Sequence, residues 1–393
     1  MTTPFETFQR RLHSGPLPEA LTGLADDLIA GQRFHELFEL RKVQLRLELG
    51  LPVDQWQPIE DLPADLGAAL ESGLLDICRE IGTLLVRAGD LAGGWSYLEP
   101  VGDKNLTREL LAEIPVNGEN AETIVHIGIN AGVDPGRGFE VVLDRFGTCS
   151  SITTMETQLA GSSLEVRRLT TEMLVRHVYR ELLENIRQSI DGDGADQGAE
   201  PGSLKQLIEA RPELTEGLNH QIDTTHLAST VRFSRILLEP EALQQAIELA
   251  EYGSRLHPDF RYEGSEPFRE TYQDTLAFLQ VLAGTADPQP VLDRLAGLAR
   301  RQKQEAGVLD SAAWYVYLLD RLGQGEVAID AWLELLHQVD DNDVLNEEIA
   351  PSLQQLVRRY AHYSRAAEVL RERGDLLGFA TVAAARHQAD SRG

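Results

Sequence analysis

Apolar residues recur at helical spacing along most of the chain, and short polar breaks divide this pattern into pairs of helices. In segment 67–102, one apolar run ends in Leu84-Leu85-Val86-Arg87, and a Gly-Asp break at Asp90 follows it. A second run then begins at Leu91 with small residues and an aromatic one. Apolar positions spaced by three and four residues, interrupted by a turn, predict a helix hairpin.

The same order of helix, break and helix recurs downstream. In segment 123–147, Pro135 is well placed in the first turn of the second helix. The further pairs predicted from the pattern are 224–238 with 240–256, 272–282 with 290–302, 312–322 with 326–338, and 352–362 with 365–373.

Small residues followed by an aromatic one after a Gly-Asp turn resemble the unit of tetratricopeptide-type proteins. The resemblance covers about two-thirds of the chain and lies in the turns and packing pattern, because no strict 34-residue repeat is present. It implies an all-α fold of antiparallel helix pairs stacked into a tetratricopeptide-like α-solenoid. It implies nothing about activity.

The pattern predicts four regions. Residues 1–63 form an N-terminal helical capping segment with helices near 18–30 and 32–49, and residues 64–190 form a helical-repeat region. Residues 191–202 form a mobile, acidic, glycine-rich loop, and residues 203–393 form a second helical-repeat region. The loop begins like a calcium site, but Gly202 would occupy the twelfth position, where a bidentate Glu belongs.

The composition limits the classes of binding partner that we expect. The 63 acidic and 36 basic residues give a net charge of -27, which disfavours nucleic acid and anionic membranes as partners. Cys78 and Cys149 form no paired-cysteine motif, and no long apolar segment or basic, apolar start is present. We therefore expect a cytoplasmic protein without a membrane span.

Candidate chemistry is concentrated in the run from His220 to His226, which includes Asp223. Two imidazoles and a carboxylate are common ligands of transition metals. On one continuous helix the two histidines would diverge by roughly 120° and about 9 Å of rise, poorer than an i, i+4 pair. Asp223 is also the obvious N-cap of a helix that opens at Thr224, which competes with a role as ligand.

Two earlier histidines, His126 and His177, fall on polar helix faces and could meet this run across a groove. The predicted metal ligands are therefore His126, His177, His220, Asp223 and His226, with zinc, manganese or iron as the divalent ion. Glu181 and Glu184 share the face of His177 and are the predicted acid/base residues.

The long polar and aromatic connector after the helix 240–256 could cover such a site. We expect His257, Arg261 and Tyr262 of this connector, and Asn130 from the face of His126, to bind a substrate. Two functions follow. One is a metal-dependent hydrolase, lyase or isomerase acting on a small polar substrate, and the other is a non-enzymatic scaffold for a peptide or protein partner.

Overall fold

The computed structural model describes residues 3–55, 58–192, 203–215, 217–305, 310–336 and 349–391. The described chain is helical, as the hydrophobic pattern predicts, and one isolated antiparallel bridge joins Glu263 to Glu270. The chain forms two compact units, Met1–Val141 and Val142–Gly393. No helix of the described residues has the length and apolar character needed to cross a membrane.

The first unit contains the two helices predicted for the capping segment, observed as Leu17–Ala30 and Phe34–Glu48. Its other helices are Pro4–Ser14, Ala64–Arg87, Leu91–Val101, Lys104–Glu113, Ala121–Val125 and Pro135–Val141, with a 3-10 turn at Ile59–Asp61 and a π-helical turn at His126–Asn130.

The core of this unit continues across residue 63. Leu28, Phe34 and Leu37 are buried together with Ile77 and Ile81. The predicted capping segment therefore shares its core with the first helix of the predicted repeat region.

The predicted hairpin in segment 67–102 depends on two glycines. A Cβ on Gly82 would lie 3.0 Å from the carbonyl oxygen of Gly94, and a Cβ on Gly94 would lie 2.9 Å from that of Gly82. Neither contact is possible for a side chain, so the two backbones approach as closely as helices can. Asp90 caps the second helix by accepting a hydrogen bond from the backbone N–H of Gly93.

The second unit contains the predicted helices from residue 224 onward, each within a few residues of its expected bounds. Its helices are Gly147–Thr157, Leu164–Gly192, Leu204–Ala210, Thr224–Phe233, Pro240–Arg255, Thr271–Leu282, Gln289–Glu305, Asp310–Arg321, Gly325–Leu335, Leu353–Tyr360, Tyr363–Glu372 and Leu376–Asp390, with a π-helical turn at Val142–Phe146 and 3-10 turns at Pro212–Leu214, Ser234–Ile236 and Pro258–Phe260.

One predicted region of this unit lies mostly outside the described residues. The helix Leu164–Gly192 runs through the first two positions of the predicted glycine-rich loop. The remaining positions, 193–202, are outside the described residues.

Aromatic rings fill the spaces left by glycines in this unit. A Cβ on Gly253 would lie 2.2 Å from the ring of Tyr272, and a Cβ on Gly325 would lie 2.1 Å from the ring of Tyr360. Each glycine therefore receives the ring of a later helix. The partners in each pair are distant in sequence.

Candidate functional site

Asp223 is the N-cap of the helix Thr224–Phe233. Its Oδ1 accepts hydrogen bonds from the backbone N–H groups of Thr225 at 2.8 Å and His226 at 3.2 Å, and from the Thr225 hydroxyl at 2.5 Å. The hydroxyl bond, followed by the two backbone bonds, lowers the pKa of this carboxyl. The capping role weighed against metal ligation is therefore the one this carboxylate performs.

The two histidines of the run have different surroundings. His220 is exposed, its Nδ1 lies 3.1 Å from the carbonyl oxygen of Ile222, and its ring meets the ring of Phe260 edge-on at 4.8 Å between centroids. His226 is half-buried, and its carbonyl oxygen accepts a hydrogen bond from the Thr230 hydroxyl. They flank a helix start rather than facing a common point.

Three tyrosines hold this helix start in place. The Tyr252 hydroxyl accepts a hydrogen bond from the backbone N–H of Gln221 at 2.8 Å. The Tyr272 hydroxyl donates to the carbonyl oxygen of Thr224 at 3.4 Å, and the Tyr262 hydroxyl lies 3.2 Å from the Thr224 hydroxyl. Burial raises the pKa of Tyr252 to about 12. The Tyr252 phenol is therefore neutral at physiological pH and acts as a structural anchor.

A buried carboxylate supports the neighbouring helix Leu204–Ala210. Glu248 is only 6% exposed and accepts hydrogen bonds from the Tyr179 hydroxyl at 2.8 Å and the backbone N–H of Lys205 at 3.3 Å. The Tyr179 hydroxyl in turn accepts the backbone N–H of Leu204. This network fixes the segment that leads into the His220 turn.

The predicted connector lies beside this turn and forms one wall of a cavity of about 350 Å³. The opposite wall contains Pro212, Thr215 and Gly217. The described lining residues are Pro212, Thr215, Gly217, Arg255, Leu256, His257, Pro258 and Arg261. Two of the four predicted substrate-binding residues, His257 and Arg261, thus share one pocket, and Tyr262 touches the adjacent helix start.

The third histidine, His177, lies elsewhere in the second unit. Burial lowers the pKa of its imidazole, while the carboxylate of Glu181 opposes this shift. Glu181 accepts a hydrogen bond from the Thr148 hydroxyl at 3.0 Å, and Glu184 is exposed. The predicted acid/base pair therefore shares a surface with His177, and Glu181 has a structural partner.

His126 and Asn130 belong to the first unit. Both are exposed and bound its π-helical turn, while Ile127 and Gly128 between them are buried. The predicted polar face of this segment is thus observed.

Among the residues that it describes, the structure shows no metal-binding group around the predicted ligands. Within the described chain, which includes all five, no three His, Cys, Asp or Glu side chains form a group that could hold a metal ion. The physical reason is clearest at Asp223, whose Oδ1 is engaged by three donors of its own helix start.

Sequence reasoning did not single out Arg255 or Phe260. Arg255 is the last residue of its helix. Basic residues are common at helix C-termini, so this position does not by itself indicate a functional residue. Phe260 has no signal of its own, because its contact with His220 spans 40 residues. Comparison with protein-family models, with curated proteins and with solved structures gives no match for this chain.

Proposed function

We propose that this protein is a binding protein of tetratricopeptide-like architecture that holds a small polar ligand in the pocket between segment 212–217 and the connector after Arg255. The observation that carries the proposal is the pocket itself. Its volume of about 350 Å³ lies within the range of roughly 300–1,000 Å³ that is usual for small-molecule sites.

The construction of the pocket supports a binding role. Its two walls come from segments about 40 residues apart and are held by the buried hydroxyl of Tyr252 and the carboxylate of Glu248. Apolar surface from Leu256 and two prolines alternates with polar side chains, which is the composition of a ligand site rather than of a packing defect.

The solenoid part of the proposal is supported by the way helices meet within each unit. Gly82 and Gly94 allow two consecutive helices to touch, and Gly253 and Gly325 each receive a tyrosine ring. Stacked helix pairs need such close approaches along the array.

Binding is preferred to the metal-dependent reaction because Asp223, one of the residues predicted to hold the ion, caps a helix. A peptide partner is the competing occupant. The pocket volume favours a small molecule, because only one or two side chains of a peptide would fit in it.

The test is to fill the pocket from each wall with Thr215→Phe and Pro258→Trp. Val327→Trp adds similar bulk at an exposed position outside the pocket lining and serves as the control. Each folded protein is equilibrated with a cell extract, separated from unbound compounds by gel filtration and denatured, and the released compounds are identified by mass spectrometry.

We expect the wild type and Val327→Trp to release the same small molecule, and both pocket-filled variants to release much less of it. Identical release from all four proteins would disprove binding in this pocket. Release of a peptide instead of a small molecule would favour the competing scaffold function.

A further inference from the structure

The charges that line the pocket differ from those of the chain as a whole. The chain carries 63 acidic and 36 basic residues. Yet the pocket's described lining contains Arg255, His257 and Arg261 and no acidic side chain. Cations gathered in a concave site of a strongly acidic protein concentrate positive potential where an anion can reach it.

Both arginines have guanidinium N–H donors that are not engaged by the described residues. Arg261 is half-buried, and its Nε donates to the carbonyl oxygen of Leu256 at 2.7 Å, which holds the guanidinium in place. Arg255 is exposed, and within the described chain its guanidinium has no ion pair or hydrogen bond. A fixed and a free guanidinium in one pocket can bind an oxyanion through several charge-assisted hydrogen bonds.

His257 adds a third donor. Its Nδ1 accepts the backbone N–H of Asp259 at 3.3 Å, so the neutral ring carries its proton on Nε2. The Asp259 carboxylate lies 3.5 Å from the same Nδ1, but it is 77% exposed and is not part of the lining. Both contacts are made at Nδ1, and neither occupies Nε2.

We propose that the pocket recognises its ligand through an oxyanion, a carboxylate or a phosphate, bound by Arg255, Arg261 and His257. The apolar surface of Leu256 and the two prolines then contacts the uncharged body of the ligand. The inference rests on the proposed function, because it names the ligand class of the same pocket.

Two simple anions, inorganic phosphate and succinate, serve as probes. Each is titrated into the full-length protein at constant ionic strength, and binding is followed through the amide NMR signals of the segments that form the pocket. Arg255→Gln removes a guanidinium that has no ion pair or hydrogen bond among the described residues. Arg301→Gln removes the same charge from an exposed position outside the lining and is the matched control.

We expect at least one anion to bind the wild type and the control equally, and Arg255→Gln to bind it about tenfold more weakly, as the loss of one charge-assisted hydrogen bond implies. Tighter binding of phosphate would identify a phosphorylated ligand, and tighter binding of succinate a carboxylate. Equal affinity of wild type and Arg255→Gln would overturn the inference.

The two proposals fail in different ways. If a small molecule from the extract is retained in the pocket but neither anion binds, the oxyanion inference is wrong and the binding function stands. If an anion binds in the pocket but no compound is retained from any extract, the anion site stands and the small-molecule function fails.

Discussion

The phenol oxygen of Tyr252 accepts a hydrogen bond from the backbone N–H of Gln221 at 2.8 Å. Tyr252 is fully buried in the helix Pro240–Arg255, and Gln221 belongs to the turn before the helix Thr224–Phe233. This bond joins the turn that carries His220 to the helix that ends at Arg255 in the pocket.

Replacing Tyr252 with Phe tests the bond. The ring is retained, but the N–H of Gln221 loses its acceptor, and we expect the free energy of unfolding to fall by about 1–3 kcal/mol. Urea denaturation measures this change. Tyr363→Phe is the control, because within the described residues the Tyr363 hydroxyl has no hydrogen-bond partner. Equal stability of the two variants would show that the bond contributes nothing.

Asp223→Ala removes the N-cap of the helix Thr224–Phe233. We expect a loss of about 1 kcal/mol, the usual effect of deleting such a cap, and Asp223→Asn should restore most of it because an amide oxygen can also accept from the helix. Thermal or urea unfolding of the three proteins gives the comparison. A fully destabilised Asp223→Asn would indicate that the negative charge matters more than the cap.

The lowered pKa of Asp223 gives its contribution a pH dependence. Because the folded pKa lies below the ordinary value of 3.8, the stabilisation is complete above that value and is lost as the pH falls through the folded pKa. The stability difference between wild type and Asp223→Asn should therefore shrink in acid, and a difference that grows in acid would contradict the assignment.

Substitution of alanine for Gly253 and for Gly297 should change the stability in opposite directions. A Cβ on Gly253 would lie 2.2 Å from the ring of Tyr272, so Gly253→Ala should destabilise the protein by about 1–3 kcal/mol through overpacking. Gly297 lies within the helix Gln289–Glu305 with open space around it. Gly297→Ala should therefore stabilise by about 0.5–1 kcal/mol. Similar midpoints of urea unfolding for both variants would contradict the packing.

The half-buried imidazole of His177 should weaken the fold in mild acid. Its folded pKa lies below the ordinary value of 6.5, so the unfolded chain binds the proton more readily. The free energy of unfolding should fall as the pH drops from about 7.5 to about 5, and level off below the folded pKa. His177→Gln should show a smaller fall over that range. NMR titration of the ring should give a midpoint below 6.5, and a midpoint above it would contradict the burial.

Metal analysis of the dialysed protein tests the ligand set predicted from sequence. Since Asp223 is a cap and the two nearby histidines flank the helix start, we expect substoichiometric zinc, manganese and iron. The content should be the same in His220→Ala. One ion per chain in the wild type that is lost in His220→Ala would restore the metal hypothesis.

The helices were predictable because their signals are local. Apolar spacing and breaks such as Asp90 and Pro240 mark the beginning of helices within a few residues. The predicted segment 123–147 ended at Gly147, and no helix was predicted directly after it. Gly147 has a φ of 78°, yet the chain continues directly into the helix Gly147–Thr157.

The site was only partly predictable. The connector with His257 and Arg261 stands out as long and polar, and it lies in the pocket as a substrate-binding segment would. The metal cluster was predicted from residue types and from their placement on separate helix faces. Which side chains converge depends on long-range packing. Asp223 instead forms a local hydrogen bond to the helix start, which requires no ordering of residues distant in sequence.

The two walls of the pocket are far apart along the chain. Ligand binding in the pocket therefore depends on the cooperative folding of the chain between the two walls. We expect a fluctuation that breaks the bond between Gln221 and Tyr252 to move Pro212 and Thr215 away from the end of the helix Pro240–Arg255 and so to open the pocket. Any ligand held there therefore slows hydrogen exchange of the Gln221 amide, and the exchange rate of this single proton reports occupancy of the pocket.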